Sequence, residues 1–318
     1  MTRPLILLFP GQSSRDAGMF ERLDALAPGQ GAAARRRVEG RLGKGCDDFG
    51  GNLEIQLAVH ELNLAYLELF AESGLLAAAS AGLSLGEYAH LVAIGALSPE
   101  DSRELVAWRG AAYDRGPAGR MAAVQPIDPA EAVSLCLDIC GLLEDPEAIA
   151  VSNFNTPTQC VVAGRSEAVE MFLAAAEARF FSVGRVIETR ICMHMRRFRP
   201  VAADLAPALK AAAWRAPSQA YWPNVMAQPV PYADPKAFCD CLTRHVYQPV
   251  LWRQTLEAFS ALHDGAVFVE VGPLRVLSGM VGRRWLPQAT VFALDPLETA
   301  EPMTLKTKLE AIRAAVAA

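Results

Sequence analysis

The feature that most constrains the fold is a serine, Ser84, between two glycines, Gly82 and Gly86, in the segment "SAGLSLGEYAHL". A short run of small residues precedes it and a helical pattern follows. In a Gly-x-Ser-x-Gly turn from strand to helix, the glycines permit close backbone approach and the helix dipole favours an anion beside the serine. Alone, the pentapeptide fits two interpretations: a catalytic nucleophile, or a small-residue turn that contains serine.

Length and composition limit the class of protein. A chain of 318 residues, 52% hydrophobic and 20% charged, predicts one large globular domain with a subdomain, or two domains. The formal net charge of −5 argues against nucleic acid as a partner. The apolar run at residues 5–9 is too short for a signal peptide, and no window is long enough to span a membrane, so no membrane partner is expected.

Cysteine usage indicates the compartment. The seven cysteines are odd in number and form no CxxC or paired-histidine pattern. This usage predicts free thiols in a reducing, cytoplasmic environment. It also predicts that the chain has no metal site.

The first third of the chain reads as alternating strands and helices. Residues 5–9 are expected to form a buried strand, residues 28–52 a loop or irregular stretch, and the segment from residue 55 a buried helix. Serine, proline and acidic residues at 98–101 predict a helix start, and that helix carries Arg109. Arg109 is either solvated, as most helix arginines are, or a bidentate ligand for a carboxylate.

The middle of the chain has a different pattern and indicates an insert. Its strands and helices are predicted in the β-α-β-β-α-β order of a ferredoxin-like unit. The predicted strands are 121–124, 148–153, 159–163 and 181–187, and the helices are 129–140 and 167–178. The remainder returns to alternating helix and strand, so the predicted fold class is an α/β core split by a small insert.

A nucleophilic serine needs a base, and the sequence has five histidines. His60 falls within a predicted helix, His90 points away from the serine by its helical spacing, and His263 is typical of a solvated helix end. His194 and His245 remain as candidates. The residues alone do not separate a catalytic role for either from a structural one.

Several segments, taken in order, resemble the malonyl-CoA:acyl carrier protein transacylases and the acyltransferases of polyketide synthases. The resemblance covers nearly the whole chain. The segments are "LLFPGQSS", "GLSLGEYAHLVAIGALS", "VAWRGAAY", "GRMAAV", "SNFNTPTQCVVAG", "ICMHM", "YQPVLW" and "VEVGPLRVL". Their correct order is far more specific than any one of them.

The resemblance implies a fold of two units. An α/β-hydrolase-like core with a parallel sheet would comprise residues 1–119 and 189–318. A ferredoxin-like subdomain would comprise residues 120–188. This expectation agrees with the insert read independently from the pattern of strands and helices.

The resemblance also assigns roles. Ser84 matches the nucleophile and His194 the base, while the backbone N–H groups of Gln12 and Leu85 match the oxyanion hole. Arg109 matches the residue that binds the free carboxylate of a malonyl group. The implied reaction is ping-pong transfer of a malonyl-type group from malonyl-CoA to the phosphopantetheine thiol of an acyl carrier protein, for polyketide or fatty-acid synthesis. No bound cofactor is expected, and the chain is expected to be a monomer.

The sequence departs from the family pattern at several positions. Leu83 replaces the histidine that usually precedes the nucleophile, and Ser13 and Arg15 replace a glycine and a glutamine. His245 stands where the family has a glutamine whose main-chain carbonyl orients the base, a role that tolerates side-chain change. Met193, before the base, is bulky and favours malonyl over methylmalonyl groups.

Two other functions compete with acyl transfer. The same fold and dyad could serve a proofreading hydrolase that removes acyl groups from carrier proteins, but such an enzyme has no use for Arg109. A catalytically silent docking protein is the third possibility, and intact Ser84 and His194 argue against it. The basic run "HMRRFR" fits either a solvated helix start or a contact for CoA phosphates or an acidic carrier protein.

Overall fold

Two four-stranded sheets organise the chain in the computed structural model, which describes residues 2–46, 48–282, 284–295 and 304–318. The strands are β1 (Leu5–Phe9), β2 (Ala79–Gly82), β3 (Arg120–Gln125), β4 (Ile149–Thr156), β5 (Gln159–Gly164), β6 (Val183–Glu188), β7 (Val267–Glu270) and β8 (Thr290–Ala293). The α-helices are α1 (Met19–Leu26), α2 (Gln30–Leu42), α3 (Asn52–Glu72), α4 (Gly86–Ala93), α5 (Pro99–Asp114), α6 (Pro129–Leu142), α7 (Ser166–Phe180), α8 (Arg199–Ala211), α9 (Pro235–Tyr247), α10 (Trp252–Leu262) and α11 (Leu305–Ala317). Short 3₁₀ turns cover Gln12–Ser14 and Arg196–Phe198.

The large sheet is parallel, in the order β2-β1-β7-β8. Strands β1 and β7 are continuous apolar runs, "LILLF" and "VFV", and are buried along their whole length. Such runs are typical of parallel strands with helices on both faces. Helix α4 leaves the end of β2, and α3 packs against α5.

The small sheet is antiparallel, in the order β4-β5-β3-β6. Helices α6 and α7 cover one face over a separate apolar core. This is the predicted ferredoxin-like arrangement, so the expected fold class, an α/β core with a parallel sheet and a small insert, is confirmed. Within the described residues, no helix has both the length and the apolar composition needed to cross a bilayer.

Several contacts join the small sheet and its flanking segments to the large unit. The N–H of Phe154 in β4 donates to Val250 O at 2.9 Å, and the N–H of Val250 donates to Ser152 O at the same distance. In the segment between α6 and β4, Asp145 Oδ2 lies 3.2 Å from Arg197 Nη1. Met121, Val161 and Ala163 of the small sheet also pack in the apolar core of the large unit.

The prediction of a loop at residues 28–52 is wrong, because α2 occupies much of that stretch. Gly29 and Gly43 flank the helix in left-handed conformations, and a stretch rich in glycine is typical of irregular structure. Between them, alanine and arginine are strong helix formers, and Ala34 and Val38 bury one face. The predicted helix start is confirmed: Ser98 Oγ accepts the N–H of Asp101 at 3.0 Å at the beginning of α5.

We expect Gly86→Ala to destabilise the protein by about 1–3 kcal/mol, because the added Cβ would lie 2.0 Å from the carbonyl oxygen of Phe9. Gly40→Ala is the matched control, since Gly40 is exposed inside α2 and an added Cβ meets nothing. That change should instead stabilise by about 0.5–1 kcal/mol. Urea unfolding of both variants measures the difference, and equal midpoints would contradict the prediction.

Candidate active site

Ser84 lies on a sharp turn between β2 and α4. Its φ is 52°, in the left-handed region that non-glycine residues seldom occupy. The turn is tight enough to require the flanking glycines: a Cβ on Gly82 would lie 2.0 Å from the backbone of Gly86. The local sequence therefore forces the serine into a strained, fixed position at the beginning of a helix.

The structure brings His194 to Ser84. Ser84 Oγ lies 2.8 Å from His194 Nε2, and His194 Nδ1 lies 2.7 Å from the main-chain oxygen of His245. Because a carbonyl only accepts, Nδ1 carries the proton and Nε2 is free to accept from the serine hydroxyl. His194 also has a left-handed φ, of 60°, in the loop after β6. The arrangement is suited to nucleophilic catalysis, with a hydroxyl beside an imidazole acceptor and a carbonyl that can fix the orientation of the ring.

Burial keeps His194 neutral. Its removal from water, and then the nearby positive charge of Arg109, lower the pKa of His194 to about 3, although the hydrogen bond to His245 acts in the opposite direction. The imidazole is therefore unprotonated at physiological pH. It can accept the serine proton without first losing one of its own.

The sequence analysis missed Asn224. Its Oδ1 accepts the N–H of Ser84 at 2.7 Å, and its Nδ2 donates to Gly82 O at 2.6 Å. The Asn224 carboxamide thus bonds both to the end of β2 and to the backbone of Ser84. Asn224 is an isolated polar residue far along the chain, and no local pattern distinguishes it from an ordinary loop asparagine.

Gln12 and Leu85 lie on either side of the serine. Gln12 begins the 3₁₀ turn after β1, and its side chain is held by Asn52 and Gln56. Leu85 precedes the first residue of α4. Among the described residues, neither backbone N–H donates to another protein group, so both remain available to an oxyanion.

Arg109 is buried, with 1% of its surface exposed, and Nη2 lies 3.2 Å from Ser84 Oγ. Its guanidinium lies over the ring of Tyr113, 4.1 Å from the centroid. Within the part of the chain described here, no carboxylate forms an ion pair with Arg109, and Nη1 has no hydrogen-bond partner. A buried cation without an anion is costly, which makes this guanidinium a site for an acid.

A cavity of about 830 Å³ opens from Ser84 and His194 toward the uncovered face of the small sheet. Met193, 5% exposed, lines it beside the base, and Leu83, Ser13 and Arg15 line it near the nucleophile. Other lining residues come from the small sheet, among them Met121, Gln125, Asn153, Asn155, Gln159 and Arg185. The two units therefore build the cavity together.

Three histidines, His60, His90 and His263, lie apart from the dyad. His90 Nδ1 contacts Ser80 Oγ at 2.8 Å while its Nε2 accepts the N–H of Trp222, so it serves as a buried structural link. His60 contacts Ser102 inside the helical layer, and His263 follows the last residue of α10.

The basic run after the base is only partly solvated. Arg197 pairs with Asp145, and the guanidinium of Arg199 lies over the ring of Tyr247. These contacts connect α8 and the turn before it to neighbouring elements. Two of the three arginines in the run thus have partners within the protein.

Comparison with known proteins decides the family. The profile of the family described as "Acyl transferase domain" matches residues 48–288. The chain belongs to this acyltransferase family. It is also 31% identical over 315 residues to the malonyl CoA-acyl carrier protein transacylase of Bacillus subtilis (strain 168), covering 93% of this chain and 95% of that protein.

Solved structures of this acyltransferase family have the same fold. FabD from Acinetobacter baumannii superimposes with a TM-score of 0.86 at 26% identity, covering 99% of each chain. A malonyl-transacylase, PlMCAT, solved in complex with a type II PKS acyl-carrier protein, superimposes with a TM-score of 0.85 at 26% identity. That match covers 97% of this chain and 99% of the other. The resemblance read from the sequence motifs is therefore confirmed.

Reaction of Ser84 with phenylmethylsulfonyl fluoride should proceed at a constant rate from pH 8 down to about pH 5. The reason is that the pKa of His194, lowered to about 3, leaves the base unprotonated across that range. The reagent is uncharged, so its reaction rate does not depend on an ion pair with Arg109. Labelling followed by mass spectrometry gives the rate, with Ser84→Ala as the unreactive control. A fall in rate with a midpoint near 6.5 would indicate an ordinary, solvated histidine.

Proposed function

We propose that the protein transfers a malonyl group from coenzyme A to the phosphopantetheine thiol of an acyl carrier protein, through an acyl ester on Ser84. The observation that carries this proposal is the buried guanidinium of Arg109, which lacks an anionic partner among the described residues and lies 3.2 Å from the nucleophile. A malonyl group has a carboxylate two bonds from its thioester carbonyl. It can therefore pair with Arg109 while its carbonyl reaches Ser84.

The first half-reaction forms the acyl-enzyme. His194 Nε2 takes the proton of Ser84, and Oγ bonds to the thioester carbonyl carbon. The carbonyl oxygen becomes an oxyanion, held by the backbone N–H groups of Gln12 and Leu85. When the intermediate collapses, the carbon–sulfur bond breaks and the coenzyme thiolate takes the proton back from His194.

The second half-reaction reverses these steps with a new thiol. The carrier protein's phosphopantetheine thiol gives its proton to His194, and its sulfur attacks the ester carbonyl. The ester bond breaks and Ser84 regains its proton. Thioester and ester are close in energy, so the transfer runs in either direction and, in this proposal, without a bound cofactor.

Substrate binding also strengthens the base. In the free protein, the charge of Arg109 contributes to the low pKa of His194. A bound malonyl carboxylate offsets that charge, so His194 becomes more basic when the correct substrate arrives. A neutral acyl group such as acetyl provides no such compensation, which couples recognition of the acid to the chemistry.

Three further proposals accompany this function. The large unit comprises residues 1–119 and 189–318 and the small unit residues 120–188, in keeping with the two separate sheets. The main-chain carbonyl of His245 orients the base. The reaction takes place in the cytoplasm, in keeping with an odd number of cysteines that form no CxxC pattern.

Intact-protein mass measurement tests the function directly. After incubation with malonyl-CoA, we expect a stable malonyl adduct that is lost when holo acyl carrier protein is added and then appears on that protein. Parallel incubations with methylmalonyl- and acetyl-CoA define the acyl preference. Rapid loss of simple acyl adducts to water, without transfer, would instead identify a hydrolase.

Arg109→Ala should lower kcat/KM for malonyl-CoA about 100-fold, since a charge-assisted contact of up to about 3 kcal/mol is removed. Its kcat/KM for acetyl-CoA should change far less, so the malonyl preference is lost. Arg103→Ala is the matched control on the same helix, because Arg103 pairs with Glu61 and Glu100 rather than facing Ser84. An unchanged malonyl preference in Arg109→Ala would refute the carboxylate assignment.

Met193→Ala should raise kcat/KM for methylmalonyl-CoA relative to malonyl-CoA by about 10-fold, because one methyl group in an apolar pocket is worth about 1–3 kcal/mol. Met193 lines the cavity directly before the base and is almost fully buried. Met280, which lines the same cavity but is not adjacent to the base in the chain, provides a control: Met280→Ala enlarges the cavity without changing the residue next to His194. Competition between the two CoA esters measures the ratio in each variant.

A further inference from the structure

We propose that Glu87 is a positioning residue for both members of the dyad, joining the group that holds Ser84 to the group that holds His194. The inference deepens the proposed function and rests on it for the reaction being measured. Glu87 follows the nucleophile turn on the first turn of α4 and is completely buried. Its carboxyl oxygens contact Tyr221, Asn224 and His245, so it acts through other residues rather than on substrate.

The Glu87 carboxyl group has three partners from distant parts of the chain. The hydroxyl of Tyr221 contacts Oε1. The N–H of Asn224 donates to Oε2 at 3.3 Å, and His245 Nδ1 lies 3.1 Å from the same oxygen. Glu87 therefore contacts both the segment after α8 and the end of α9.

The first link leads to the nucleophile. Glu87 fixes the backbone of Asn224, whose carboxamide accepts the N–H of Ser84 and donates to Gly82 O. The strained φ of Ser84 is held by this carboxamide. Loss of the Glu87 contact would release the asparagine and, with it, the turn.

The second link leads to the base. The main-chain oxygen of His245 receives the Nδ1 proton of His194, and the two imidazole rings stack with centroids 4.8 Å apart and planes 18° apart. The His245 side chain is held in that orientation by Glu87. Glu87 therefore fixes the positions of the His245 carbonyl, which accepts a hydrogen bond from His194, and of the His245 ring, which stacks on His194.

The link works through hydrogen bonds rather than charge. Burial raises the pKa of Glu87 to about 8, and burial lowers the pKa of His245 well below its ordinary value. Both groups are consequently neutral near pH 7, with the proton on the carboxyl group. A neutral glutamine can keep all three contacts, because its amide oxygen can accept from Asn224 and His245 while its NH2 group donates to the Tyr221 hydroxyl. It should therefore replace Glu87 with little loss.

The experiment compares Glu87→Ala, Glu87→Gln and a matched control by steady-state malonyl transfer at pH 7. Glu87→Ala should lower kcat about 100-fold, the size of effect expected when reacting groups are misplaced by about 1 Å, and leave KM for malonyl-CoA within about threefold. Glu87→Gln should stay within about threefold of the wild type in kcat. Rescue by the neutral isostere distinguishes positioning by hydrogen bonds from positioning by charge.

Asp295→Asn is the matched control. Asp295 is also a buried carboxyl group, and it is bound by Arg22, by the hydroxyl of Tyr66 and by the N–H of Leu274, away from the cavity. This variant should lose folding stability and keep its kcat. Should Glu87→Ala not fold, Tyr221→Phe removes one donor while keeping the volume. It should lower kcat severalfold without changing KM.

Three results would overturn the proposal. They are a wild-type kcat in Glu87→Ala or Tyr221→Phe, an equal loss in Glu87→Ala and Glu87→Gln, or a loss in Asp295→Asn as large as in Glu87→Ala. The rate of Ser84 labelling by phenylmethylsulfonyl fluoride is measured in every variant, because it needs the dyad but no malonyl group. If the wild type labels but transfers no malonyl group, the proposed function fails while the role of Glu87 is still tested.

Discussion

The hydrogen bond between Ser84 Oγ and His194 Nε2 is the contact on which the rest of the site depends. Each partner has a left-handed φ, a conformation that costs about 1–3 kcal/mol and persists only where surrounding structure enforces it. On the serine side, enforcement comes from Gly82, Gly86 and Asn224. On the histidine side, it comes from the backbone at the end of α9. The surrounding structure thus maintains one short contact between two residues with strained backbone conformations.

Burial determines the electrostatics of the same place. A base, a guanidinium and a carboxyl group are all buried around the nucleophile. His194 and Glu87 respond by remaining neutral, which the directions of their pKa shifts express. Arg109 cannot do so, since a guanidinium keeps its proton under all ordinary conditions. The site therefore carries a permanent positive charge that an acidic substrate is suited to balance.

The parts of the fold that could be predicted from sequence are those set by local pattern. The turn around Ser84, the capped start of α5 and the strands and helices of the small sheet each have a signature within a few residues. The loop predicted at residues 28–52 is a helix over much of its length. Glycine-rich stretches are typical of loops, but the alanines and arginines between Gly29 and Gly43 favour a helix. The role of Asn224 and the buried contacts of Glu87 could not be predicted, because these hydrogen bonds form only when segments far apart in sequence come together in the fold. Gln12, Leu85 and Arg109 could be predicted only from the ordered family motifs, because no local pattern distinguishes them from residues without a functional role.

The attachment of the small sheet has a consequence for how the cavity selects acyl groups. The sheet forms one wall of the cavity, and it is held by paired backbone hydrogen bonds at Val250 and by side chains such as Met121, Val161 and Ala163 that pack in the core of the large unit. A wall that is part of a close-packed core keeps its position. The acyl groups that fit are therefore set by the side chains that line the cavity. In such a scaffold, new substrate ranges arise by exchanging lining residues while the backbone stays in place.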